Sequence, residues 1–259
     1  MKIKAIFIAL LIFFLFQIEE SYGQISKVEY YTFTKNTIDT TSIRSYLLFD
    51  NYKSLFVWKS LYQERKSSKK VSDDDSSQIT FKKVYKDTIG TRVFNNYSND
   101  KLILREPLLD ENFTVIDNKL EIKWKFSNEF KDISGFNCQK ATAFFRGRYY
   151  IAWFTTKIPV PSGPWKLNGL PGLILEAYDK DREVNFLFKK LYKCNNCCEK
   201  VEILINDKTI AIKNFVKEKD NMYQKILTQA LSKLPRGVKV ENLKTYERNG
   251  IELKYEWED

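Results

Sequence analysis

The feature that most limits how this chain can fold is the stretch 165–179, WKLNGLPGLILEAYD. Gly169, Pro171 and Gly172 surround Leu170. Proline fixes its own φ and drives the residue before it out of the helical region, while glycine can take positive φ. A tight turn is dictated, with Gly169 or Gly172 expected in the left-handed region. Leu173, Ile174 and Leu175 then begin a run suited to a buried strand, with Glu176 set inside it. The stretch reads as a structural turn that aims a core strand.

Strand signals dominate the rest. Residues 28–34, 80–86, 92–97, 102–105 and 113–116 are strand-like, and 45–49 with 53–58 flank Asp50-Asn51 as a hairpin. In 120–126, Leu120, Ile122, Trp124 and Phe126 alternate with Glu121, Lys123 and Lys125. That pattern predicts a strand packed on one side and wet on the other, closing a hairpin at Asp117-Asn118-Lys119. A central hairpin is expected from 136–146 and 148–156, hinged at Gly147, and another from 173–178 and 184–191. Short strands at 201–205 and 209–212 follow, and 243–247 with 251–257 form a last hairpin around Asn249-Gly250. Residues 61–78 hold Lys69-Lys70 and Asp73-Asp74-Asp75 and read as a surface loop. One helix is predicted over 214–234, with Met222, Ile226, Ala230 and Leu234 at helical spacing, Asn221 as a cap, and Pro235 beyond its end.

The chain begins like an export signal. Lys2 and Lys4 precede an apolar run over 5–16, too short for an ordinary membrane span, and Ser21-Tyr22-Gly23 offers small residues for cleavage. Removing residues 1–23 takes away two lysines and two glutamates, so the net charge stays at +10. Lysines and carboxylates are interspersed in nearly every segment, as on a solvated surface. The remainder, 24–259, reads as one β-rich domain with no transmembrane anchor and no nucleic-acid motif.

The composition removes several chemistries. There is no histidine, so imidazole-based catalytic triads and zinc sites are excluded. No phosphate loop or dinucleotide fingerprint occurs, and no cofactor or metal is expected. Carboxylate chemistry, thiol chemistry or binding alone remain. Glu176 is the best single acid, with Asp179 or Asp181 as a partner and Arg146 or Arg148 as neutralising groups; a solvent-facing strand acid is the plainer reading. Four cysteines, Cys138, Cys194, Cys197 and Cys198, suit disulfides in an exported chain. Because the adjacent pair would be strained, Cys138 is expected to bond a member of the cluster.

Cys138-Gln139-Lys140-Ala141, the basic turn Phe145-Arg146-Gly147-Arg148, the strand Ile151-Ala152-Trp153-Phe154-Thr155 and the run Gly169-Leu170-Pro171-Gly172-Leu173-Ile174 together resemble the GLPGLI family, exported proteins of Bacteroidetes-type bacteria. The resemblance implies export and a compact β-rich domain, and it brings no assigned catalytic residues. The expected architecture is mostly β: a long curved antiparallel sheet built of hairpins, with one packed helix near the C-terminus. The expected role is that of an exported binding or accessory protein, without catalysis, in the periplasm or at the outer membrane. Its partner would be an envelope protein, a glycan or a lipid, with Arg146, Arg148, Trp153, Trp165 and Glu176 as ligand-facing residues. The alternatives are a carboxylate-dependent glycan hydrolase and a structural member of an envelope complex.

The leader has a direct check. N-terminal analysis of protein recovered from the cell envelope is expected to give Gln24, free or cyclised; recovery of an intact Met1 would refute the cleavage.

Overall fold

A computed structural model describes residues 25–34, 43–59, 89–108, 111–194, 199–205, 208–232, 247–248 and 250–258. The expected leader, the 61–78 loop, the 80–86 strand and all but the last residue of the 243–247 strand lie outside the described residues.

Among the described residues, alternating apolar residues produce twelve strands in one sheet. They are β1 (Ser26–Thr34), β2 (Ile43–Phe49), β3 (Lys53–Lys59), β4 (Thr91–Asn96), β5 (Lys101–Leu108), β6 (Glu111–Asn118), β7 (Lys125–Ile133), β8 (Phe136–Phe145), β9 (Arg148–Thr155), β10 (Leu173–Asp179), β11 (Val184–Lys193) and β12 (Thr209–Ala211). A helix, α1 (Ile212–Ser232), follows β12 directly. The spatial order is β12-β6-β5-β4-β3-β2-β1-β11-β10-β9-β8-β7. Two meanders, β1 to β6 and β7 to β11, are thus joined through the β1–β11 ladder. That ladder pairs Ser26 with Lys193 and Thr34 with Val184. All ladders are antiparallel except β12 on β6, which is parallel.

The sheet is strongly curled. β6 and β9 stand eight steps apart, roughly 38 Å on a flat sheet at the usual strand spacing. Yet Arg146, in the β8–β9 turn, bonds Asp117 of β6 at 2.9 Å. Inside the curl, cross-strand register lines up rows of side chains. One row runs Leu47, Phe56, Val93, Leu104 and Val115, all buried. Phe56 meets Phe186 edge-on, and the Tyr30 hydroxyl donates to Ile174 O at 2.8 Å. The start of α1 covers one end of this core through Ile212, Phe215 and Val216. A smaller cluster on the opposite face packs Tyr46, Leu48, Leu55 and Val57 under Val201.

Four expectations need correction. Residues 120–124 form no strand; Leu120, Ile122 and Trp124 still turn inward, but the chain is crossing from β6 at one end of the sheet to β7 at the other. Their alternation reflects an extended chain with no ladder. Residues 201–205 are not a strand either: they lie across the outer face, with Val201 buried and Leu204 exposed. Asn221 lies inside α1 and caps nothing. Finally, 251–258 is irregular, not the return strand of a hairpin.

The opening turn behaves as its glycines require. Gly169 has φ 88°, while Gly172 is needed for space: a Cβ there would sit 2.2 Å from Thr155 O. Gly172→Ala is expected to destabilise by about 3 kcal/mol, because backbone must move to admit the methyl. Gly135→Ala, at φ 86° in open space, should cost only about 1 kcal/mol. Urea unfolding of the two variants checks the order.

Candidate functional site

The curl closes on a knot of buried charge. The β8–β9 hairpin needs two consecutive positive-φ residues at its turn, and Arg146 (φ 49°) and Gly147 (φ 84°) supply them. The turn sends Arg146 inward. Its guanidinium grips both oxygens of Asp117, at 2.9 and 3.0 Å, and also reaches Glu252 at 3.2 Å and Glu256 at 2.7 Å. Lys166 Nζ binds Asp117 at 2.8 Å and Glu252 at 2.8 Å. The side chains of Arg146, Asp117 and Lys166 are each only 1% exposed. Burial raises the Asp117 carboxyl, but the charge of Lys166 and the bonds and charge of Arg146 outweigh it, holding Asp117 below the ordinary carboxylate range.

A second knot lies beside the first. Arg148 pairs with Asp179 and, at 3.0 Å, with Glu183; it also donates to the carbonyls of Ile251 at 3.0 Å and Gly250 at 2.7 Å. Asp179 accepts Val184 N at 2.9 Å, which fixes the β10–β11 turn. Arg146 O accepts Leu253 N, and Tyr255 lies with its ring against both Arg146 and Arg248. Residues 250–258 are therefore strapped across the inside of the curl by side chains from the β8–β9 turn and from Lys166.

The expected ligand-facing residues separate into two groups. Arg146, Arg148 and Trp165 are drawn into the interior. Trp165 (φ 57°) meets Trp58 edge-on at 6.0 Å, and its buried Nε1 has no hydrogen-bond partner among the described residues. Trp153 and Glu176 are cross-strand neighbours elsewhere: Glu176 pairs with Lys131, which also sits 4.5 Å over the Trp153 ring. Neither arginine bonds Glu176, and Asp179, its proposed partner acid, belongs to Arg148. The bridge expected from Cys138 does not form: Cys138 is a buried free thiol donating to Phe136 O, and burial pushes the thiol up to about 11. Cys194 is not free, and Cys197 and Cys198 lie outside the described residues.

Two features were not read from sequence. Glu106, on β5 beside the first knot, has no ion pair among the described residues; its nearest bond is from the Thr91 hydroxyl at 3.5 Å. Burial raises its carboxyl, and the opposing charges of Lys219 and Lys166 do not cancel that effect. Two residues further along β5 a groove of about 410 Å³ opens between the sheet and α1. Leu108, Phe113 and Met222 give it apolar walls, and Glu111, Glu218, Asn221 and Lys225 give it polar ones. Among the described residues no group of acids and cysteines could hold a metal ion, and no helix is long and apolar enough to cross a membrane.

Residues 146–176 match the profile of a family described as "Protein of unknown function (Porph_ging)". The matched span runs from Arg146 to Glu176, so it includes both arginines, Lys166 and the glycine turn. No curated protein matches the chain. Among solved structures it is similar to PNGF-II in a P21 crystal form, with a TM-score of 0.52 and 14% identity over 76% of this chain and 33% of that one. The C2 form of PNGF-II gives a TM-score of 0.52 and 15% identity over 75% and 32%. The chain thus matches about a third of PNGF-II, and the likeness is one of fold.

Asp117 and Glu106 predict opposite responses. Arg146→Met leaves Asp117 and Glu252 with one cation between them, so stability should fall by about 3–5 kcal/mol; Arg146→Lys should recover only part of it, since one ammonium cannot grip two oxygens of Asp117 and reach both glutamates. For Glu106 the folded carboxyl binds its proton more tightly than the unfolded one. Its stabilising share is present below the unfolded value near 4.5 and is lost as pH rises through the raised one. Glu106→Gln should therefore raise the melting temperature at pH 8 and leave it nearly unchanged at pH 4. Thermal melts at the two pH values check this.

Proposed function

We propose that this protein is an exported binding or accessory protein of the bacterial envelope, of the GLPGLI type, acting without catalysis. The groove between α1 and the β5–β6 hairpin supports the reading most directly. Its volume lies within the range of small-molecule sites, and apolar walls with a few polar groups are the usual composition of such sites. Arg146, Arg148 and Lys166 of the matched span do not compete for this role, because their charges are paired within the protein. The partial coverage of PNGF-II fits a β module that recurs as one part of a larger protein. The chemistry of the groove suits a ligand with an apolar body and polar head, such as an envelope lipid or glycolipid.

Glycan hydrolysis is the second reading, because Glu111 and Glu218 both line the groove. Glu111 is already paired with Lys208 at 2.6 Å, in a half-exposed position that does not favour a proton donor.

Titration with a lysophospholipid and with a soluble glycan oligomer separates the readings. Binding is expected for the lysophospholipid, seen as a raised melting temperature, and Phe113→Asp or Met222→Lys should weaken it at least tenfold while the fold is retained. Cleavage of the glycan that is abolished by Glu111→Gln or Glu218→Gln would overturn the non-catalytic reading.

A further inference from the structure

The manner in which residues 250–258 are held is that of a bound peptide. The strap makes no sheet ladder. Its main chain is recognised at both kinds of group: Arg148 takes the carbonyls of Gly250 and Ile251, and Arg146 O takes the amides of Leu253 and Lys254 at 2.9 and 3.4 Å. The Tyr150 hydroxyl adds a longer bond to Ile251 O at 3.4 Å. Side chains supply the specificity. Ile251 and Tyr255 are buried anchors, and Glu252 and Glu256, four residues apart, meet Arg146 and Lys166. Main-chain capture for affinity and side-chain pockets for specificity are the two halves of extended-peptide recognition.

We propose that Arg146, Arg148 and Lys166 form a recognition cradle for an extended acidic peptide, occupied in cis by residues 250–258 and available to a partner's segment of the same chemistry when the strap lifts. The fitting segment carries an apolar residue, a carboxylate beside it, an aromatic residue three further on and a second carboxylate after that. This goes beyond the groove and does not depend on it. The physical reason that the strap can be displaced lies in its charge. Opening an apolar strap exposes hydrocarbon with no return, whereas opening this one rehydrates Glu252, Arg146, Lys166 and Asp117, which recovers much of their desolvation cost. A peptide with the same carboxylates replaces the lost pairs.

A labelled synthetic peptide of residues 247–259 is the probe, and the full-length chain is the receptor. The double variant Glu252→Ala, Tyr255→Ala weakens the strap and leaves the cradle intact. It is expected to bind the peptide at least tenfold more tightly than the unaltered chain does. Added salt should weaken that binding, and a peptide with Glu252→Gln and Glu256→Gln should bind at least tenfold less well. A folded double variant that ignores the peptide, or binds both peptides equally, would overturn the proposal. Hydrogen exchange on the unaltered chain keeps the test independent of that variant's folding: the amides of Leu253 and Lys254 are expected to exchange well before those of the β9–β10 ladder. Equal protection would also overturn it.

Discussion

The bonds from Arg146 to Asp117 hold the two ends of this sheet together. An open twelve-stranded sheet has no intrinsic reason to curl until β6 and β9 face each other. Here a guanidinium from the β8–β9 turn reaches across the curl to an aspartate of β6, and Lys166 completes the set. Each group would be expensive to bury alone, and each is tolerable because the others surround it. The interaction therefore does more than add stability. It sets where the curl stops, because the planar fork of arginine matches a carboxylate in few geometries. The glycine turn belongs to the same device: close passage of Gly172 over Thr155 brings the 156–172 segment across the inside, with Lys166 at its centre.

Much of the fold was legible in the sequence because it is local. Short turns fixed neighbouring strands, and the hairpins around Asp50, Gly147 and residues 180–183 are where the residue pattern puts them. The misses have a common cause in long-range placement. Residues 120–124 alternate like a strand and cross the interior without a partner. β7 has little apolar patterning because it is an edge, with Phe126 and Phe130 more than half exposed, so nothing in 127–133 announced it. The 251–257 stretch has strand-like composition, and its conformation is decided by arginines more than one hundred residues earlier.

The candidate site was legible only as residue types. Arg146, Arg148, Trp165 and Glu176 were singled out as ligand-facing, but whether a charged residue faces a ligand or the protein's own chain depends on partners that spacing cannot reveal. Asp117 reads as a turn residue, yet it is the most enclosed acid of the knot. Glu106 sits in an ordinary strand pattern, and the charges that act on it, those of Lys219, Lys166 and Glu252, come from distant parts of the chain. Cys138 illustrates the same limit: compartment and count favoured a bridge, while its place between β7 and β9 leaves it a buried thiol.

The order of strands also fixes an order of events in time. A chain emerging from its N-terminus can build β1 to β6 from neighbours alone, as one meander. β1 then presents an unpaired edge, because its other partner, β11, lies more than 150 residues further on. The second meander forms from its own turns, and the β1–β11 ladder joins the two halves of the sheet, with contacts such as Phe56 on Phe186 and the arginine bonds following it. Assembly therefore ends with its least local step, and loop closure of that length makes such steps slow. Until then each half carries an edge that any passing strand could pair with. A protein of this topology has good reason to be accompanied while it folds.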